Sequence, residues 1–86
     1  MASANPTPSP NPNALKFELD VTLPATISYS SADAASGDPF AAAVFEAPGV
    51  ASIFGVNDFV TVNRSSADAE WEPIIQAVQA AAAAHL

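Results

Sequence analysis

Hydrophobic and polar residues alternate along ALKFELDVTL, residues 14–23. One face of this segment carries Leu15, Phe17, Leu19 and Val21, and the opposite face carries Lys16, Glu18, Asp20 and Thr22. A period of two residues predicts a β-strand that is buried on one side and wet on the other, as in an antiparallel or mixed sheet covered on one face only. A shorter run, ATISYSS at residues 25–31, predicts a second strand after Pro24.

A first helix is predicted from the sequence DPFAAAVFEAPG. Asp38 is a favourable N-cap residue, and Pro39 suits the first helical position, where its missing N–H costs nothing. Phe40 and Val44 supply an apolar stripe, and the Pro-Gly pair at residues 48–49 ends the helix. Because so short a helix is marginal alone, packing must hold it.

A hairpin follows, with strands predicted at residues 50–54 and 59–63 and the turn GVND between them. Val60 and Val62 share one face of the second strand, and we assign them to the core. Phe59 lies on the other face. We therefore expect it on the uncovered side of the sheet, where an aromatic side chain can anchor a partner.

A second helix is predicted within RSSADAEWEPIIQAVQAAAAAHL. Ser66 or Asp68 can cap it, and Pro73 requires either that the regular helix begins near Glu70 or that the helix kinks at the proline. Its buried stripe comprises Ile74, Ile75, Val78, Ala81 and Ala82. The predicted order is therefore β-β-α-β-β-α. This is a small α/β domain of the α+β class, with a mixed or antiparallel sheet, two helices packed on one face and the other face open.

Residues 1–9, MASANPTPS, are small, polar and proline-rich. Such a segment buries too little apolar surface to offset its ordering entropy, so we expect a disordered tail. Pro10 and Pro12 then form a stiff lead-in to the first strand. The expected organisation is a tail at residues 1–9 and a single domain at residues 10–86, because this length allows one core.

Composition narrows the range of functions. Nine acidic residues against Lys16 and Arg64 give a net charge of −7, which disfavours binding to nucleic acid or to an anionic membrane surface. The chain contains no cysteine and a single histidine, His85, so disulfides and thiolate ligation of a metal or cluster are impossible within it. With no signal-peptide pattern and no apolar stretch of membrane-spanning length, a cytoplasmic protein is expected.

No catalytic, metal or cofactor site is predicted. Asp68, Glu70 and Glu72 are better explained as a solvated helix start than as the converging carboxylates of a hydrolase. A catalytic Ser–His pair is not expected, because it would have to use His85, the histidine next to the C-terminus. A domain of this size also has little volume for an enclosed pocket.

Binding of a partner is the remaining class of function. The two basic side chains either neutralise nearby carboxylates or hold a carboxylate or phosphate of a bound peptide, with nearby asparagines adding hydrogen bonds. Of the two phenylalanines in the hairpin, Phe54 and Phe59, at least one is expected in the core. The predicted partner-binding residues are Asn11, Asn13, Lys16, Phe59 and Arg64.

Three parts of the chain together resemble a known family. They are PNPNALKF at residues 10–17, DPFAAAVFEAPGVASIFGVNDFVTVNR at residues 38–64, and Trp71 early in the last helix. The combination is similar to the N-terminal domain of NifU/Nfu-type iron–sulfur cluster scaffold proteins. In that family a Pro-Asn lead-in and a Lys-bearing strand precede a Ser-Pro-Leu-Ala-like helix start and an Asp-Phe-Ile-Thr-Val strand. Here DPFA and DFVTV occupy those two positions.

The resemblance implies a compact domain linked to iron–sulfur cluster assembly, with Asn11, Asn13, Lys16 and Arg64 as candidate contacts. In longer relatives a separate C-terminal domain with a Cys-x-x-Cys motif carries the cluster, and this sequence has neither that domain nor any cysteine. We therefore expect a non-enzymatic accessory domain that binds no cluster directly. Its partner would be a protein of the iron–sulfur assembly machinery, and the domain itself a monomer or weak dimer. A general peptide- or phosphopeptide-binding module unrelated to iron is the alternative, and an acid-dependent metal enzyme is a remote third.

Overall fold

The computed structural model describes residues 3–7, 13–23, 25–47, 49–65 and 70–86. Within these residues the chain forms five strands and two helices. They are β1 (Ala4–Thr7), β2 (Ala14–Leu19), β3 (Ile27–Tyr29), α1 (Pro39–Phe45), β4 (Val50–Val56), β5 (Phe59–Arg64) and α2 (Trp71–His85). The strands make one sheet in the order β1-β2-β5-β4-β3, and each neighbouring pair is antiparallel.

The sheet and both helices enclose one core. Alternation along β2 buries Phe17, and alternation along β5 buries Val60 and Val62 as predicted; all three are 0% exposed. Both helices contribute to the same cluster through Phe40, Ala41, Val44, Ile74, Val78, Ala81 and Ala82. The prediction of an α+β domain with two helices against an antiparallel sheet is confirmed.

The N-terminal segment contains a strand. The prediction of a disordered tail at residues 1–9 is wrong for residues Ala4–Thr7, which form β1 and pair along β2. Ala4 is 2% exposed, and the Gln79 side-chain amide of α2 donates a hydrogen bond to its carbonyl at 3.3 Å. The strand needs no large apolar side chain, because the ladder to β2 satisfies its backbone and one small methyl fits beneath the helix.

The hairpin turn is tighter than the predicted GVND turn. β4 continues to Val56, and the turn consists of Asn57 and Asp58. Asn57 has φ 55°, in the left-handed region that asparagine tolerates better than most residues. The hairpin therefore gains strand length at both ends, since β5 also extends one residue further, to Arg64.

The segment after β2 crosses this turn. The Leu19 amide donates to the Asp58 carbonyl at 2.7 Å. The Leu23 amide donates to the Asn57 carbonyl at 2.6 Å. These bonds bring the chain over the hairpin end, which explains why β2 ends at Leu19 instead of continuing to Leu23 as predicted. β3 is likewise shorter than its predicted span of residues 25–31.

Asp38 caps α1 as predicted. Its Oδ1 accepts from the backbone N–H of Phe40 at 3.0 Å and of Ala41 at 3.3 Å. Its Oδ2 accepts from the Tyr29 hydroxyl at 3.0 Å. One carboxylate therefore both starts the helix and ties it to β3.

α2 begins at Trp71, after an extended Glu70. Of the two alternatives raised by Pro73, a helix start near Glu70 is confirmed. Pro73 then lies in the first turn, where a backbone N–H would have no intrahelical acceptor. The predicted caps Ser66 and Asp68 lie outside the described residues.

Candidate functional site

One face of the sheet points away from the core, and both described helices pack on the opposite side. We call this surface the open face. Strand register and alternation give it Asn5, Thr7, Lys16, Glu18, Ser28, Ser52, Phe54, Val56, Phe59, Thr61 and Asn63. All of them are half-buried or exposed. The open face is therefore a mixed surface of hydroxyls, amides, apolar side chains and two opposite charges.

Lys16 and Phe59 meet on the open face, toward the end of the sheet that carries the hairpin turn. Their strands β2 and β5 are adjacent, and the Lys16 ammonium lies 4.7 Å from the centre of the Phe59 ring. Within the described residues the ammonium has no carboxylate at ion-pairing distance. Among the described residues Lys16 therefore does not neutralise a nearby carboxylate. Its ammonium instead contacts the aromatic face of Phe59.

An apolar strip runs beside this pair. Phe54 on β4 is 41% exposed. Among the described residues it is the large hydrophobic side chain that solvent reaches most. Val56, two residues along the same strand, is paired with Phe59. Phe54, Val56 and Phe59 therefore place apolar surface on two neighbouring strands. The expectation that at least one hairpin phenylalanine lies in the core is wrong, because alternation turns both side chains to the open face.

Polar contacts border the strip, one on the neighbouring strands β1 and β2 and one further along β4 and β5. The Thr7 hydroxyl donates to the Glu18 carboxylate at 3.1 Å on the β1–β2 side. The Asn63 amide donates to the Ser52 hydroxyl at 2.9 Å on the β4–β5 side. An apolar centre with a hydrogen-bonded polar rim is the usual anatomy of a protein–protein interface.

A second group lies at the end of β5, away from the open face. The Arg64 Nε donates to Asn13 Oδ1 at 3.1 Å, and the Arg64 amide donates to the Asn13 carbonyl at 2.9 Å. The guanidinium carbon lies 5.4 Å from the Trp71 ring centre at the start of α2. Alternation along β5 puts Arg64 on the side of Val62, so this cluster joins the sheet to α2.

The predicted partner-binding residues therefore separate into two groups. Lys16 and Phe59 come together on the open face, whereas Asn13 and Arg64 come together at the strand end. Asn11 lies outside the described residues.

No metal-binding constellation is found among the described residues: no three His, Cys, Asp or Glu side chains are grouped so that they could hold an ion. The whole sequence has no cysteine, so its residues do not fit direct thiolate ligation of an iron–sulfur cluster. Within the described part of the chain, neither helix has the length and apolarity to cross a bilayer.

A family model described as "Scaffold protein Nfu/NifU N terminal" matches residues 5–86. The chain belongs to the Nfu/NifU N-terminal family. The resemblance read from its motifs is confirmed, and membership supports a scaffold-type role in iron–sulfur cluster assembly. A comparison with curated proteins finds no match.

Solved structures share the fold of this Nfu/NifU N-terminal domain. The crystal structure of protein SAV1430 from Staphylococcus aureus has 30% sequence identity and a TM-score of 0.77, and the match covers 94% of this chain and 98% of that one. The solution structure of SAV1430 has a TM-score of 0.70 at 30% identity, covering 94% and 89%. Protein SeR13 from Staphylococcus epidermidis has a TM-score of 0.65 at 27% identity, covering 98% of both chains.

Two features of this Nfu/NifU N-terminal domain were not resolved by its sequence. Alternation along β4 buries Ile53 at 1% exposure and so turns Phe54 outward, but the longer predicted turn obscured that register. The contact between Arg64 and Trp71 had no local signal, since it depends on how α2 returns to the sheet.

Proposed function

We propose that this Nfu/NifU N-terminal domain is a non-enzymatic docking module that binds a protein of the iron–sulfur assembly machinery through its open face. The observation that carries the proposal is the Lys16 ammonium 4.7 Å from the Phe59 ring, beside a Phe54 that is 41% exposed. Aromatic side chains that are not covered by their own domain are the usual centres of binding energy in interfaces.

Charge indicates what the partner offers. The net charge of −7 favours encounter with a basic protein through long-range attraction. Among the described residues of the open face, Lys16 is the one that carries a positive charge. A carboxylate on the partner that paired with this ammonium would fix how the two proteins align at contact. We therefore propose a basic partner whose contact surface combines apolar side chains with at least one acidic side chain.

In this proposal the cluster is cargo that other molecules carry. Iron–sulfur clusters are held mainly by cysteine thiolates, and this chain contains none. The domain would position a cluster-carrying or cluster-receiving protein without ligating the metal. Anaerobic incubation of the purified chain with iron and sulfide should leave it colourless, and a stable brown protein would contradict this part of the proposal.

Capture of partners by the immobilised full chain tests the docking face. We compare Lys16→Gln with Gln76→Glu, because each substitution makes the net charge more negative by one and Gln76 is exposed on α2, away from the open face. Iron–sulfur assembly proteins should be recovered by the wild type and by Gln76→Glu. Lys16→Gln and Phe54→Ser should lose them, and thermal melts should show that both variants remain folded.

Two other outcomes of the capture experiment would change the proposal. Equal recovery by all four proteins would remove the open face from the proposal. Recovery of unrelated proteins alone would favour a general peptide- or phosphopeptide-binding module. Nucleic acid and membranes are not among the proposed partners.

The proposal also places the domain in the cytoplasm, as a monomer or weak dimer. Cell fractionation with a tagged full chain tests the compartment, and sedimentation at increasing concentration tests the association state. A tight dimer that buries Phe54 would mean that the open face is a self-association surface instead.

A further inference from the structure

An apolar cleft lies on the helix side of the sheet, opposite the open face. It opens between the start of α1, the end of α2 and the segment leading into β3, and its volume is about 210 Å³. Its apolar walls are Leu23, Ala25, Ile27, Pro39, Phe40 and Leu86. This cleft shares no residue with the open face.

A buried glycine makes room for the cleft. Gly55 of β4 lies beneath Ile27 and Leu23, and a Cβ at that position would come within 2.8 Å of Ile27 Cγ1 and 2.9 Å of Leu23 Cδ1. Without that side chain, the two walls can lie back against the sheet. Any larger residue at position 55 would push them toward the cleft.

The ionisable residues lining the cleft are Asp38 and His85. Asp38 is held firmly, since its Oδ1 accepts two backbone N–H groups of α1 and its Oδ2 accepts the Tyr29 hydroxyl. A carboxylate offers about four acceptor positions, so these three bonds leave Oδ2 able to accept one more. A fixed anionic acceptor therefore borders an apolar cleft.

We propose that this cleft binds a small primary amine carrying one aromatic ring or one short branched alkyl group. The ring or alkyl group would occupy the apolar walls, and the ammonium would donate to Asp38 Oδ2. The size is suitable, because an apolar cavity of roughly 150 Å³ in another protein accommodates benzene. The negative charge of the chain, −7, also attracts a cation and repels the corresponding acid.

Three probes that share one phenylethyl group and differ in the group at its end separate the charge from the apolar contact. They are 2-phenylethylamine, 2-phenylethanol and 3-phenylpropanoate, each titrated into the isotope-labelled full chain while amide chemical shifts are followed. The amine should bind with roughly millimolar affinity, as expected for so few atoms, and shift the amides of Leu23, Ile27 and Phe40. The acid should bind about tenfold more weakly, because it exchanges an attraction for a repulsion.

Asp38→Asn is the decisive variant, because asparagine is as good an N-cap as aspartate and α1 should be retained. It should remove the preference for the amine over the alcohol, whereas His85→Gln, which removes the other ionisable side chain of the lining, should preserve it. Ala25→Trp should block all three probes by filling the cleft from an exposed wall position.

The proposal is overturned if the amine produces no saturable shifts at the cleft, or if the acid binds as tightly as the amine. Saturable shifts confined to the open face would also overturn it. None of these results would affect capture of partners by the open face, so the two proposals fail separately.

Discussion

The Lys16 ammonium lies 4.7 Å from the centre of the Phe59 ring, and the two residues belong to adjacent strands of the sheet. They are diagonal neighbours, because Lys16 is paired with Thr61 and Phe59 with Glu18. The contact covers one face of the ring and holds the ammonium on the open face. An ion pair with a partner can therefore form there without reorganising a long, mobile side chain.

The coupling between these residues is measurable in the unfolding free energy. We expect a double-mutant cycle of Lys16→Gln and Phe59→Leu to give a coupling of about 0.5–1 kcal/mol, as for other exposed cation–π pairs. Urea unfolding of the wild type, both single variants and the double variant measures it. A cycle of Lys16→Gln with Phe54→Leu is the control, and a coupling of equal size there would show that the effect is not specific to the Phe59 ring.

The elements that sequence predicted well are those fixed by local chemistry. Asp38 and Pro39 determine the start of α1 through capping and a fixed φ, and neither depends on distant contacts. Alternation placed Val60 and Val62 in the core, because a period of two leaves only one way to bury a strand face. The same alternation placed Lys16 and Phe59 on the open face, and their role in partner binding stays a prediction.

The elements that sequence missed depend on contacts between distant segments. β1 exists because β2 offers an edge and Gln79 of α2 donates to Ala4, and nothing in MASANPTPS indicates either contact. The contact of Arg64 with Trp71 similarly requires the return of α2 to the end of β5. Composition indicates the conformational entropy that is lost when these residues become ordered. It does not indicate the distant residues of the same chain whose contacts offset that loss.

A side chain at Gly55 should destabilise the fold. A Cβ there would lie 2.8 Å from Ile27 and 2.9 Å from Leu23, so we expect that Gly55→Val costs about 1–3 kcal/mol by overpacking. Gly37→Ala is the control, because a Cβ there meets nothing within 4 Å. It should be neutral or stabilise by up to about 1 kcal/mol, since alanine restricts the unfolded chain. Thermal melts of the two variants decide the matter, and equal melting temperatures would contradict the packing argument.

Attachment of β1 should depend on its one buried side chain. Ala4→Lys places a charge where the native methyl is 2% exposed, so we expect β1 to separate from β2. Amide exchange in β1 should then become at least about tenfold faster, while exchange in α2 and β5 changes little. Asn5→Lys is the matched control, because Asn5 is exposed and paired with Glu18. If both variants keep their protection, burial of Ala4 does not hold the strand.

The hydrogen bond from Tyr29 to Asp38 should be visible in the ionisation of the phenol. The Asp38 carboxylate accepts this bond and thereby raises the pKa of Tyr29 above its ordinary value of about 10. The protonated phenol is the form that the folded state favours. The stabilisation it provides is therefore fully present below pH of about 10, and it is lost as the pH rises through the raised pKa of the folded protein.

A single tyrosine makes this prediction simple to test, because ultraviolet absorbance of the phenolate then reports one site. The folded chain should titrate at a higher pH than the urea-unfolded chain. Asp38→Asn should lower the folded midpoint, since it removes the negative charge while asparagine continues to cap α1. Asp33→Asn is the control, because Asp33 is exposed in the loop before α1 and does not contact Tyr29. A midpoint that Asp38→Asn leaves unchanged would mean that the carboxylate does not hold the phenol, and the link between β3 and α1 would then rest on packing alone.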